Sequence, residues 1–448
     1  MVVRICRIKG HHYALTKRSR IPLGTADLAA SSNFGCDDAR AIYCAVHTVS
    51  WSMEPPVYSP VAPSALVAAV KARFGSGGVA HDTAAQELRR RYDANDVLLT
   101  DSGTAALVIA LRVLVGRGGV IAYPGYGCVD LAAAAVRAGV SVRLYDLDPE
   151  TLSPDLDSVK RVIQRGVDAI VVAHLYGYPA DVDGVRELAS RAGIPVIEDA
   201  AQAAGGTLCN SRLGALADIS ILSFGRGKGV TAGSGGALVL RSKQFSELNL
   251  RARLELGSAR SGGREIVALA AQWILARPLV YRIPAGIPAL KLGQMVYRPA
   301  SEPRAMSLAA ASMLPAALGT EEAEVASRRA RAKTIMSSIG DQRRLAPIRS
   351  LAGGDPGYLR LALLDHAGDF LPNATLGAVR GYPMTLDQHQ QMGSLLLANE
   401  NAGAGSALLR DRLFTVPTHS RVRAVDVHRL IGWISQRAEH HPIEAWAT

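Results

Sequence analysis

From Pro55 onward, short apolar runs alternate with stretches of helical periodicity, the pattern of a parallel α/β sheet. The runs 97–100, 120–123, 141–145, 169–173, 195–198 and 219–224 predict strands, most separated by helix-length segments, and 237–240 closes the series after a glycine run. Seven strands with helical crossovers predict a large three-layer α/β/α domain around a mainly parallel sheet. A long helix over 306–333 then leads into shorter alternating strands and helices, the pattern of a smaller α+β domain. The expected division is an extension over 1–52, a large domain over 53–305 with an apolar insertion at 262–300, and a linking helix and small domain over 306–448. Open sheets of this kind place ligands at the carboxyl ends of their strands, so the informative residues should follow the apolar runs.

The first 52 residues do not share this pattern. They hold Cys6, Cys36 and Cys44, three of the five cysteines, and an excess of basic residues. Their best apolar run, 41–46, is too short for the core of a signal peptide. The segment lacks helical or strand periodicity and reads as a poorly ordered extension, with the working start expected at Met53. The alternative, a basic arm for nucleic acid, rests on charge alone, and none is expected as a partner. Without this segment only Cys128 and Cys209 remain, too few for a disulfide framework or a structural zinc, which points to a reducing cytoplasm.

Composition narrows the class. Across 448 residues, 50 Lys and Arg stand against 39 Asp and Glu, a net charge of +11, with 48% hydrophobic and 20% charged residues. Such a chain can bury a large core, which argues against disorder, collagen and coiled coil. The longest apolar stretch, 266–276, is interrupted by Gln272 and followed by Arg277 and Pro278. It falls short of the roughly 20 residues of a bilayer crossing, so no transmembrane helix is expected.

Three strand ends carry candidate chemistry. Ser102-Gly103-Thr104-Ala105 opens a helix whose free N–H groups and dipole suit a phosphate, although the same residues make an ordinary cap. Asp199 follows the run ending at Glu198, with Gln202 one turn on, and it reads equally as a helix cap. Lys228 lies in the glycine loop Gly225-Arg-Gly-Lys-Gly229 after Ser223-Phe224, and taken alone it reads as a solvated charge. Together, and in this order, they form the set that pyridoxal phosphate chemistry needs: an anion cradle, a carboxylate for the pyridine nitrogen and a Schiff-base lysine.

With these motifs the chain resembles the DegT/StrS-type sugar aminotransferases of the fold-type I pyridoxal phosphate enzymes. The matching motifs are Ser102-Gly-Thr-Ala-Ala-Leu107, Tyr145-Asp-Leu-Asp-Pro-Glu-Thr-Leu152, His174-Leu-Tyr-Gly-Tyr-Pro-Ala-Asp181, Ile197-Glu-Asp-Ala-Ala-Gln202, Ser223-Phe-x-x-x-Lys228, the glycines at 233–236, Tyr382-Pro383 and Val416-Pro-Thr-His419. The resemblance implies an aspartate aminotransferase-like fold with pyridoxal 5'-phosphate as cofactor. It makes Lys228 the catalytic lysine, pairs Asp199 with the pyridine nitrogen and sets Gln202 near the ring hydroxyl. Gly103, Thr104, Ala105 and Ser223 would hold the phosphate. It further implies a homodimer, a nucleoside-diphosphate keto-sugar substrate and an amino-acid donor, glutamate. Three features depart from the family. Cys128 stands where an aromatic residue usually stacks on the ring, with Tyr126 as its expected substitute. The Asn-His-Gly motif that reaches the partner chain has no counterpart around 250–257, and 262–300 is unusually long.

Other chemistry fits less well. A nucleotide phosphate loop at Gly227-Lys228 fails because Leu222 stands at its first glycine and Gly229 at its Ser/Thr. A dinucleotide fingerprint over 227–232 fails because a strand, not a helix, follows. No cluster has metal-ligand spacing, so no metal site is expected. His174 reads as a core residue or a ligand contact. The basic run Arg328-Arg-Ala-Arg-Ala-Lys333 reads as a solvated face, with attraction of a diphosphate as the alternative. The sequence therefore predicts a transaminase of nucleotide-linked keto-sugars. The alternatives are another fold-type I enzyme on a non-nucleotide substrate, or a cofactor-binding regulator without turnover. The apolar insertion is expected to pack on a partner subunit, with a membrane surface as the alternative.

Overall fold

The computed structural model describes residues 4–8, 11–15, 52–72, 77–260, 262–287, 296–339, 344–369 and 371–439. The chain forms two compact units, 1–51 and 52–448. In the first, Arg4–Ile8 (β1) pairs antiparallel with His11–Leu15 (β2). This corrects the expectation of no regular structure there: two short β-compatible stretches separated by two residues ending in glycine are a hairpin signal that periodicity does not report. The expectations for 16–51 lie outside the described residues.

The second unit is built on a seven-stranded sheet of Asp96–Thr100 (β3), Val120–Pro124 (β4), Ser141–Tyr145 (β5), Ala169–Ala173 (β6), Val196–Asp199 (β7), Ile219–Ser223 (β10) and Gly236–Leu240 (β11), in the order β3-β11-β10-β7-β6-β4-β5. All seven predicted strands are present. β11 runs antiparallel to β10 and β3, whereas the other pairs are parallel. The strands are apolar throughout because both faces are covered. On β6, Ile170 and Val172 enter one core while Ala169 and Val171 enter the other. Between β7 and β10 a three-stranded sheet joins Thr207–Leu208 (β8) and Ser211–Arg212 (β9) to Gly354–Asp355 (β13).

The expected helix over 306–333 is two helices, Leu308–Leu318 and Glu321–Ile339. Ser307 caps the first through Oγ to the Ala310 N–H at 3.2 Å. Gly319 is its C-cap, and the second opens with Glu321, Glu322 and Glu324 in its first turn, where the helix dipole favours acids. The chain continues into a four-stranded antiparallel sheet, with Leu345–Pro347 (β12), Leu361–Asp365 (β14), Leu413–Val416 (β16) and Val379–Arg380 (β15) in that order. Its core includes Ile335, Leu361, Phe414, Val416 and Leu430.

Candidate active site

The anion turn is held by glycines on both sides. Ser102 caps the helix Gly103–Leu114, accepting the Ala105 N–H at 3.0 Å. A Cβ on Gly103 would lie 2.8 Å from Ser223 Cβ, and one on Gly236 would lie 2.4 Å from the Gly103 nitrogen. The turn can rest on the β10 and β11 backbones only because neither position carries a side chain. Gly103 and Thr104 line the cleft at this helix start, with Ala105 buried behind them.

Asp199 ends β7 between β6 and β10, in register with Ala173 and Ile221. Its Oδ1 accepts the Ala201 N–H at 3.0 Å. Burial pushes the carboxyl up, with that N–H and the charge of Lys228 opposing. The preceding Glu198, which the sequence reading passed over, is fully buried and accepts the His174 ring at 2.8 Å, the N–H groups of Leu216 and Ala217 at 2.9 and 3.0 Å, and the Ser220 hydroxyl at 3.0 Å. Burial alone would raise it, but these donors hold it below the ordinary carboxylate value. His174 accepts the Ala180 N–H on Nδ1 at 2.9 Å, so Nε2 donates to Glu198. His174 is therefore a fixed core residue behind the strand end that presents Asp199.

Lys228 sits between Gly227 and Gly229, both with left-handed backbone (φ 75° and 86°). The loop closes through the Ala232 N–H to the Phe224 carbonyl at 3.0 Å. Burial lowers the Lys228 ammonium, but the neighbouring Cys128, Asp130 and Asp199 more than offset this and leave it above its ordinary value. Arg328 supports the loop from behind, donating to the carbonyls of Tyr58 at 3.1 Å and Gly229 at 3.4 Å and pairing with Glu324 at 3.2 Å. Arg328 is only 1% exposed, which corrects the reading of the basic run as a solvated face: backbone carbonyls from distant segments surround it. Arg331 likewise donates to the carbonyls of Val422 and Ser420.

These groups meet in one cleft of about 400 Å³ lined by Gly103, Thr104, Cys128, Asp130, Asp199, Gln202, Ser223 and Lys228. Gln202 accepts the Tyr176 N–H at 3.2 Å and donates to the Tyr382 hydroxyl at 2.6 Å. Tyr126 is not in the lining. Its ring is fully buried 5.2 Å from that of Tyr382, and its hydroxyl accepts the Tyr382 N–H at 2.7 Å. A Cβ at Gly125 would meet the Ala402 carbonyl at 2.2 Å, so this turn packs directly on a neighbouring segment and Cys128 lines the cleft. Burial pushes the Cys128 thiol up to about 12, making it a neutral packing surface. Asp130 was also missed, because an acid in a first helical turn is ordinarily explained by the dipole.

A second, polar cleft of about 1100 Å³ is lined by Arg226, Arg260, Arg264, Asp101, Ser234 and Glu265 among others. Arg226 lies on the Lys228 loop, and Asp101 immediately precedes the anion turn.

The fold and cleft define an α/β protein with a lysine and a buried aspartate at the strand ends of a mainly parallel seven-stranded sheet. Among solved structures, DesI determined in the presence of its TDP-sugar product has the same fold with a TM-score of 0.68 at 19% identity, covering 87% of this chain and 94% of that one. The sugar aminotransferase CalS13 from Micromonospora echinospora aligns with a TM-score of 0.64 at 21% identity, covering 86% of this chain and 100% of that one. The sequence model of the DegT/DnrJ/EryC1/StrS aminotransferase family matches residues 64–274 of the chain. It is 38% identical over 146 residues to L-glutamine:2-deoxy-scyllo-inosose aminotransferase from Streptoalloteichus tenebrarius, covering 32% of this chain and 34% of that protein. Over 158 residues it is 34% identical to UDP-N-acetyl-3-dehydro-alpha-D-glucosamine 3-aminotransferase from Acidithiobacillus ferrooxidans, covering 35% and 43%. These matches span between a third and a half of the relatives' own lengths.

Proposed function

We propose that the protein is a pyridoxal phosphate-dependent aminotransferase, acting as a homodimer, that moves an amino group from an amino acid, with glutamate the expected donor, to a keto-sugar carried by a nucleoside diphosphate. The observation that carries this reading is the convergence of Lys228, Asp199, Ser223 and the helix start at Gly103 and Thr104 on one cleft. The residues fit the coenzyme. The helix start at Gly103 and Thr104 and the Ser223 hydroxyl would hold its phosphate, Gln202 would meet the ring hydroxyl, and the buried carboxylate of Asp199 would hold the proton on its nitrogen. The coenzyme supplies an electron-accepting ring that makes a neighbouring C–H acidic. Lys228 would bind it covalently at rest and, once displaced by the donor, carry the proton between the two exchanging positions. Donor and acceptor would use the one cleft in turn, the donor leaving as its keto acid and its amino group staying with the enzyme until the acceptor binds, so ping-pong kinetics are expected.

A phosphorylated acceptor is supported by Arg226, Arg260 and Arg264, which line the adjoining cleft. The named relatives act on a free cyclitol ketone in one case and a UDP-linked keto-sugar in the other, and this arginine group favours the second kind. Two measurements test the reading. Wild-type protein incubated with pyridoxal phosphate should turn yellow and, after borohydride reduction, carry the label on Lys228, with Lys228→Ala unlabelled; a colourless wild type would overturn the cofactor reading. With glutamate as donor, turnover should be confined to nucleotide-linked keto-sugars in a panel that also contains free ones.

A further inference from the structure

The insertion leaves an apolar surface uncovered. Gly263–Leu275 and Pro278–Ala285 form a helical pair bent by 119°, in which only Leu269 and Pro284 are buried. The first helix packs on Pro63–Ala72 and Leu308–Leu318. On the outside, Val267 is 70% exposed, Leu279 65% and Ile283 67%, and Trp273, Ile274 and Ile287 are exposed with them. Val267 and Ile274 are seven residues apart on the first helix, and Leu279 and Ile283 four apart on the second, so each pair shares a face. Val67 and Val70 of the adjoining helix extend the patch.

The charges around this patch are mostly positive. Over 262–287 they are Arg264, Arg277, Arg282 and Glu265, and Glu265 accepts the Ser234 hydroxyl at 3.2 Å. Lys71 is the one charged residue of Pro63–Ala72. The Arg277 guanidinium lies 4.9 Å from the Trp273 ring centre, a cation–π contact at the edge of the patch. A second copy docking on this face about a two-fold axis would bring these mostly cationic rims together. An acidic bilayer answers both features: Leu, Ile, Val and Trp enter the acyl boundary while Arg and Lys stay at phosphate level.

We propose that this helical pair docks the protein on an anionic lipid bilayer, lying in the interface and not crossing it, since among the described residues no single helix is long and apolar enough to span. The inference is independent of the cofactor reading.

The test is co-sedimentation of the full-length protein with vesicles of phosphatidylglycerol and phosphatidylcholine, or of phosphatidylcholine alone. Binding should be at least tenfold stronger to the acidic vesicles and weaken with salt. The double variant Leu279→Glu/Ile283→Glu should lose at least tenfold of it, and Arg277→Gln/Arg282→Gln should lose the preference for acidic lipid. Circular dichroism and thermal unfolding report whether each variant is folded, whatever the cleft binds. Wild-type protein that ignores acidic vesicles overturns the proposal. So does a folded Leu279→Glu/Ile283→Glu variant that still binds vesicles but falls from dimer to monomer, which would assign the face to a second copy.

Discussion

Asp199 is the residue on which the cofactor reading is most exposed. Its carboxyl is raised by burial, and a cationic ring nitrogen would restore the charge that burial disfavours. Asp199→Asn should keep the fold and lose at least 100-fold in the half-reaction with the amino donor, because a neutral amide no longer holds the ring proton. Near-wild-type rates in single-turnover absorbance measurements would reduce Asp199 to a cap for the following turn. Lys228 and Asp199 were legible in the sequence through their order and motifs. Glu198 and Arg328 were not. A glutamate before an aspartate and an arginine in a basic run carry no sign of burial, and the groups that satisfy them come from Gly214–Ser220 and from Tyr58, far off in the chain.

At the scale of elements, the glycine run after Lys228 is a packing device. Gly235 donates its N–H to the Asp101 carbonyl at 3.0 Å, and Gly236 faces the Ser102–Gly103 peptide. Gly236→Ala would set a Cβ 2.4 Å from backbone atoms and must displace the turn that presents the Gly103 and Thr104 N–H groups. We expect it to lower stability by about 1–3 kcal/mol and to weaken pyridoxal phosphate binding at least tenfold, read by thermal unfolding and by titration of the coenzyme. Wild-type affinity in this variant would show that the turn does not carry the phosphate. The strands themselves were legible because runs buried on both faces are apolar at every position. The break at Gly319 was not, because apolar and helix-forming residues continue on either side of it.

Across the whole molecule, the segment entering the large domain buries an acid near the start of the last helix. Glu54 is 2% exposed and lies against Asp426, which also pairs with Arg423 at 2.7 Å and Arg429 at 3.4 Å. Burial, and then the Asp426 charge, push Glu54 up to about 8, with the two arginines opposing. The folded state therefore keeps a proton that the unfolded chain releases near the ordinary value of 4.5. This contribution to stability is complete below that value and is lost as pH rises through about 8. The melting temperature should fall by a few degrees between pH 6 and pH 9, and Glu54→Gln should flatten that slope. A wild-type protein equally stable across this range would show that Glu54 ionises freely. Glu198 acts in the opposite window: its lowered value contributes above the ordinary carboxylate range and is lost on acidification.

The sequence alone determined the seven strands and the motifs at their ends, because hydrophobic periodicity and short motifs are local properties of the chain. Tertiary structure decided which residues of each motif face the cleft. Gly125 pressed against the Ala402 backbone sends Tyr126 into the core and leaves Cys128 at the opening. It decided, too, that Arg328 is a buried support and that the apolar insertion keeps one face uncovered. Burial and partnership depend on segments hundreds of residues apart, and no local pattern records which of them will meet.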